Sequence, residues 1–387
     1  ISNSFPPYDD WRDQIYFGTG SGIEIVPGWV SSLQTHTGDV QIGDINADGR
    51  PDAVTVHGGG VRSDHVRVYF GADGMPSTTE GFTSSFSQRG WGTSGVVFDI
   101  DDDGDLDVFT TNQGLSPDPF RPMTLYRNLG TGLATMPDWI SSERSIQGGA
   151  SVGDADGDGD LDIGVSRWAN FFTGIIENNG GTPSEVPALF AVNTDSTDRG
   201  TAFADIDGDG DDDFAVGGAD GPEVYDNAAG VFSSAWVGTP PFTGVQDFGA
   251  FDVDGDGDED IVEIHFSDGR AHIYENVRGA LDVAPTWTFD APEVGTAIAV
   301  GDLNGDGRAD LALGYAGNTS IRVFYAEAPD CPADLAFPFG VVDLSDVDAF
   351  IVAFVVGDSL ADLAVPFGFV DLSDVDAFIA SFVAGCP

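Results

Sequence analysis

Asp154-Ala155-Asp156-Gly157-Asp158-Gly159-Asp160-Leu161-Asp162 places an aspartate at every second position of a nine-residue stretch. Its pattern, D-x-[DN]-x-D-G-x-x-D, recurs six times, starting at Asp44, Asp99, Asp154, Asp205, Asp252 and Asp302, at spacings of 55, 55, 51, 47 and 50 residues. A period of that size makes the chain an array of one supersecondary unit. Oxygens at positions 1, 3, 5 and 9, with the carbonyl of position 7, converge when such a loop curls, and Gly at position 6 permits the bend.

Carboxylates packed that closely repel one another unless a divalent cation sits among them. A set of hard oxygen ligands selects calcium, whereas magnesium demands a stricter octahedron. The ligand sets expected are Asp44, Asn46, Asp48, Arg50 and Asp52; Asp99, Asp101, Asp103, Asp105 and Asp107; and Asp154, Asp156, Asp158, Asp160 and Asp162. They continue with Asp205, Asp207, Asp209, Asp211 and Asp213; Asp252, Asp254, Asp256, Asp258 and Asp260; and Asp302, Asn304, Asp306, Arg308 and Asp310. About six Ca2+ ions follow, one per loop. Loops one and six carry Asn at position 3 and Arg50 or Arg308 at position 7, where only the carbonyl ligates, so they are expected to bind more weakly. A salt-adapted acidic surface demands neither a fixed register nor Gly at position 6.

Strand-like runs flank each loop, such as GVVFDI before and LDVFTTN after the second. Alternation rich in Val, Ile and Phe supports strands. A third run (VRVYF, MTLYRN, GIIENN, EVYDN, AHIYEN, IRVFYA) and a more variable fourth complete a unit of four. In the fourth, Trp29, Trp139, Phe190, Trp236 and Trp287 stand 15 or 16 residues before a loop, as packing between adjacent units requires. Four-stranded sheets at this period close radially into a β-propeller, which protects their edges. The expected fold is mainly β: a six-bladed, or alternatively seven-bladed, β-propeller over residues 1–329 with a small helical domain at 330–387. The repeats resemble the FG-GAP or VCBS type of the integrin α-chain propeller over about residues 8–328, and that resemblance implies calcium in the loop between the first two strands of each blade. The N-terminal runs DQIYFG and GIEIVPGW leave one strand more than six blades of four need. Closure by the N-terminal fourth strand completing the last blade is therefore expected.

All 14 basic residues are Arg, against 65 Asp and Glu, for a formal charge of −51. Nucleic acid is excluded as a partner, because phosphate binding needs basic clusters. No apolar run reaches the roughly 18 residues that membrane insertion requires. A start at Ile1 fits a chain that has lost a secretion signal, or equally a trimmed one, and the location expected is secreted, extracellular or at the cell surface.

The tail is a duplication, ADLAFPFGVVDLSDVDAFIVAFVVGD against ADLAVPFGFVDLSDVDAFIASFVAGC. Ser345 and Ser373, each followed three residues later by Asp348 or Asp376, suit helix N-caps, so each copy is expected to hold one helix. The stripe Val347, Phe350, Ile351, Phe354, Val355 and its repeat Val375, Phe378, Ile379, Phe382, Val383 supply facing apolar sides. Cys331 and Cys386 bracket the segment as a possible disulfide clasp. The duplication resembles a dockerin, which implies a cohesin-like receptor or self-association as the protein partner. A dockerin loop carries oxygen ligands where this chain has Ala336, Pro338 and Phe339, so no calcium is assigned to the tail.

No nucleophile elbow, zinc helix or phosphate loop occurs, and the five His are scattered, as structural strand residues are. The leading expectation is a non-enzymatic secreted calcium-binding propeller for extracellular assembly or adhesion, whose tail docks onto a partner or a neighbouring copy as a filament subunit. A carbohydrate-binding propeller on a scaffold is the first alternative, with Arg167, Trp168, Phe171 and Phe172 as a stacking segment for a glycan. A calcium-dependent polysaccharide lyase is the second, with Arg50 or Arg308 as its only loop-borne basic groups.

Overall fold

The computed structural model describes residues 12–326 apart from 20–21, 25, 34–35, 59–65, 73, 87–89, 115–119, 131, 169–172, 186–188, 191–199, 219–220, 240–243, 267, 306–307 and 317–320. In the tail it describes 344–356, 361, 375, 378–379 and 382. The chain forms a six-bladed β-propeller, as its repeats predict. Blade one comprises His36–Gly43, Asp52–Gly58, Val66–Tyr69 and Phe82–Thr83. Blade two comprises Gly90–Phe98, Asp107–Gly114, Thr124–Tyr126 and Trp139–Ile140, and blade three Ile146–Gly153, Asp162–Trp168, Gly174–Ile176 and Leu189–Phe190. Blade four is Gly200–Ala204, Asp213–Gly218, Gly221–Asn227 and Phe232–Val237; blade five is Val245–Phe251, Asp260–His265, Ala271–Tyr274 and Trp287–Phe289. Blade six has three strands, Val294–Gly301, Asp310–Ala316 and Ile321–Phe324. Every pairing is antiparallel, and the first strands of successive blades lie side by side from blade one to blade six.

Second strands are the most buried because both faces meet a neighbouring blade, so they read as continuous apolar runs. In blade five, Ile261 packs toward blade four, while Val262 and Ile264 pack toward Leu311 and Leu313 of blade six. The fourth-strand tryptophans join blades, as expected, while the Phe190 side chain lies outside the described residues. Trp29 meets Tyr69 edge-on at 5.2 Å, Trp236 meets Tyr274 at 5.2 Å, and Trp287 meets Phe324 at 5.2 Å. Such edge-to-face pairs contribute about 0.5–1.5 kcal/mol each beyond the area they bury.

Closure differs from the expected arrangement. Trp29–Val30 pairs with Gln14–Ile15 and not with the last blade, whose sheet ends at Ile321–Phe324. The lateral contact is nevertheless that of a fourth strand: the Trp29 ring meets Tyr69 of blade one as Trp236 meets Tyr274 of the blade that follows it, so only the hydrogen-bonded partner differs. On its other side the pair meets blade six, where Ile23 N–H donates to the Tyr325 hydroxyl at 3.1 Å. The N-terminal pair therefore occupies the seam between blades six and one.

In the tail, one helix, Leu344–Val356, is bounded, and Val375, Phe378, Ile379 and Phe382 are also helical. The described part of this helix begins at Leu344, and the side chain of Ser345, like all of Ser373, falls outside the described residues. Phe350 stacks on Phe378 at 4.3 Å within a small core shared with Ala349, Ala353 and Ala361, so the two apolar sides do face each other. Ile351, Val355 and Ile379 of the same stripes stay exposed. Cys331 and Cys386 lie outside the described residues. Among the described residues no helix is long and apolar enough to cross a membrane.

Candidate metal centre

Each aspartate loop joins the first and second strands of its blade, and its own side chains hold it curled. At position 1, Asp44 Oδ2 accepts from Gly49 N–H at 2.7 Å, and Asp99, Asp154, Asp205 and Asp252 repeat this contact to Gly104, Gly159, Gly210 and Gly257 at 2.7–3.2 Å. At position 5, Asp48, Asp103, Asp158, Asp209 and Asp256 each accept from the position-7 N–H at 2.9–3.0 Å. Two residues in the loop are left-handed. Gly at position 6 was expected; position 4 is the second, with Ala47 and Asp102 at φ 54° and Gly157, Gly208 and Gly255 at 75–85°. The recurrent DGDG of the later loops is the sequence sign of that second turn.

Position 9 does more than its expected role. Asp107 Oδ2 accepts from Ile100 N–H at 3.1 Å and its Oδ1 from Asn128 N–H at 2.7 Å. The same double contact is made by Asp52, Asp162, Asp213, Asp260 and Asp310, so these fully buried carboxylates staple the loop to the end of the third strand in every blade. Position-7 side chains turn the same way: Asp160 accepts from Gly180 N–H at 2.7 Å and Asp211 from Ala229 N–H at 3.0 Å, leaving their carbonyls for the loop.

The donor sets fit a hard cation. Ligand atoms of Asp99, Asp101 and Asp107 lie within 4.8 Å of one another, as do those of Asp154, Asp156 and Asp162, of Asp205, Asp207 and Asp209, and of Asp252, Asp254 and Asp260. Loops one and six offer Asn46 and Asn304 in place of one carboxylate, and Asp306 lies outside the described residues. Arg127 reaches Asp101 at 2.8 Å and Asp138 at 2.7 Å, which places a cation beside loop two. Without metal, several of the buried carboxyls are driven toward their neutral form. Burial raises Asp107, Asp162 and Asp213 to about 6, and raises Asp260 to about 8 against the pull of its two N–H donors, with Asp256 and Asp252 adding to the rise. Asp254 also rises, first through burial and then through Asp260 and Asp256.

Adjacent loops are tied by an asparagine that the sequence analysis did not single out. Asn128, Asn178, Asn227 and Asn276 donate Nδ2–H to the position-2 carbonyl of the preceding blade's loop (Ile45, Ile100, Ala155 and Ile206) at 2.6–3.1 Å. The Asn ending YRN, IEN, YDN and YEN was its visible sign. Asn178→Ala is expected to lower stability by about 2 kcal/mol, since it also removes the acceptor of Gly181 N–H, and urea unfolding measures this.

Of the other residues weighed from sequence, Arg167 is buried in a bidentate pair with Glu143 at 2.6 and 2.9 Å, which removes it from a stacking surface. The Trp168 side chain, Phe171 and Phe172 lie outside the described residues. His57 is held between Thr37 and Thr55 hydroxyls at 3.1 and 2.6 Å, as a structural histidine.

The FG-GAP-like repeat matches residues 205–263 and 252–313, from the loop of blade four into the second strand of blade six. No curated protein matches the chain. Among solved structures, BBS1N in complex with ARL6DN aligns at TM-score 0.50 and 13% identity over 85% of this chain and 95% of that one. An Agrocybe aegerita lectin that recognises non-reducing terminal N-acetylglucosamine aligns at TM-score 0.49 and 18% identity, over 81% of this chain and 89% of its own. The V. cholerae biofilm matrix protein Bap1 aligns at 0.43 and 16%, over 74% of this chain and 45% of its own. The first of these likenesses extends to the fold alone. The chain is thus a β-propeller whose residues 205–313 match the FG-GAP-like repeat.

Proposed function

We propose that the protein is a non-enzymatic, calcium-loaded propeller that works in adhesion or assembly outside the cell, its helical tail docking onto a protein partner or a neighbouring copy. The observation that carries the calcium reading is the convergence of carboxylates in loops two to five, preformed by their own backbone contacts. A divalent ion there offsets the burial that chiefly raises Asp254 and Asp260, and the repulsion between neighbouring carboxylates that adds to it. Calcium then acts as a rivet between first strand, second strand and, through position 9, third strand. Titration calorimetry on chelated protein tests this: calcium is expected to bind with several tight sites per chain, and Asp209→Ala to remove one of them.

Support for docking comes from the tail. Ile351, Val355 and Ile379 are 51, 77 and 53% exposed on one small helical unit, apolar surface that a partner can cover. The variant Ile351→Asp/Val355→Asp/Ile379→Asp leaves the Phe350–Phe378 core in place. Sedimentation velocity on full-length protein is expected to show self-association that this variant abolishes. Identical sedimentation of the two forms assigns the tail to a different partner.

A further inference from the structure

Blade five carries a group of a different chemistry. Glu263 and His265 alternate on its second strand and so share a face, and His272 on the third strand pairs directly opposite Glu263. All three are buried, at 0, 0 and 1% exposure, and one ligand atom from each lies within 4.8 Å of the others. Glu263 Oε1 is 3.0 Å from His265 Nε2 and accepts from the Tyr274 hydroxyl at 3.1 Å. Its Oε2 is buried with no hydrogen-bond partner, a costly state for a carboxylate in a protein interior. We propose that Glu263, His265 and His272 form a second, buried site for a divalent transition-metal ion of the zinc type, separate from the aspartate loops.

Several features of the surroundings support a soft-nitrogen site. Two imidazoles and one carboxylate suit zinc and its neighbours, whereas calcium takes oxygen ligands. Ligands about 2.0 Å from a tetrahedral ion stand roughly 3.3 Å apart, close to the Glu263–His265 separation. An outer contact orients the His272 ring as a metal-bound histidine requires. His272 Nδ1 meets the Thr288 hydroxyl at 2.9 Å, which leaves Nε2 as its ligand atom. His265 Nδ1 lies 3.9 Å from the Asp268 carboxylate, beyond hydrogen-bond distance, and the Tyr274 hydroxyl donates to the Glu263 carboxylate. Asp260 and the loop of blade five stand at the start of the second strand and His265 at its far end, so the proposed ion pins the second and third strands at the end away from the loop.

The test uses full-length protein produced in zinc-supplemented medium, kept in excess calcium to fill the loops, and washed with a zinc-selective chelator. One zinc per chain is expected to remain, with two imidazoles in its X-ray absorption shell. His272→Ala and Glu263→Gln are expected to lose it. Thr288→Val, at an exposed position that leaves the ligands in place, is expected to weaken zinc binding by about 10-fold. A washed wild-type chain without zinc, an all-oxygen shell, or ligand variants that retain zinc as the wild type does would overturn the proposal. Should the ligand variants not fold, the wild-type metal content and shell decide alone.

Discussion

Excess chelator is expected to lower the melting temperature by at least about 15 °C, because each ion held at a thousand times its dissociation constant contributes about 4 kcal/mol and several loops lose theirs together. The loss should depend on pH in a defined direction. In the metal-free fold, Asp107, Asp162 and Asp213 sit at about 6 and Asp260 at about 8, above the ordinary value of 3.8. A carboxyl raised on folding binds more protons folded than unfolded, so stability falls as pH rises from near 3.8 through those values. Chelated protein should therefore melt lower at pH 8 than at pH 5. Calcium-loaded protein holds the same groups ionised, so the gap between loaded and chelated melts should widen from pH 5 to pH 8. Calorimetry at the two pH values checks this, and a gap that narrows would contradict it.

Asp107→Ala is expected to cost about 3–5 kcal/mol even in excess chelator, since it leaves the N–H groups of Ile100 and Asn128 buried without acceptors. With calcium present the penalty should grow, because the loop's metal goes too. Asp103→Ala is the contrast: position 5 is exposed and serves the loop alone, so its effect should nearly vanish under chelation. Denaturant melts of both variants with and without calcium separate the staple from the ligand. Equal chelator dependence for the two would refute the double role given to position 9.

The propeller was legible because one loop recurs six times between alternating runs, and because Trp29, Trp236 and Trp287 recur at a position that only inter-blade packing explains. The closing arrangement was not: the period gives Trp29 the lateral contact of a fourth strand, which it makes on Tyr69, but carries no information about which strand hydrogen-bonds to it, here Gln14–Ile15 and not Ile321–Phe324. Within the loops, spacing revealed which oxygens can converge. It did not reveal that Asp107 and its equivalents also hold the third strand, because those donors lie 14 to 21 residues away. The Asn clasps span 70 to 83 residues and escaped for the same reason. His265 and His272 looked like scattered strand histidines until the register placed His272 opposite Glu263.

Metal analysis of the folded, full-length protein after dialysis against micromolar calcium tests the central claim most directly. Between four and six calcium ions per chain are expected, with loops two to five filled first. Folded protein that carries no stoichiometric calcium would contradict it.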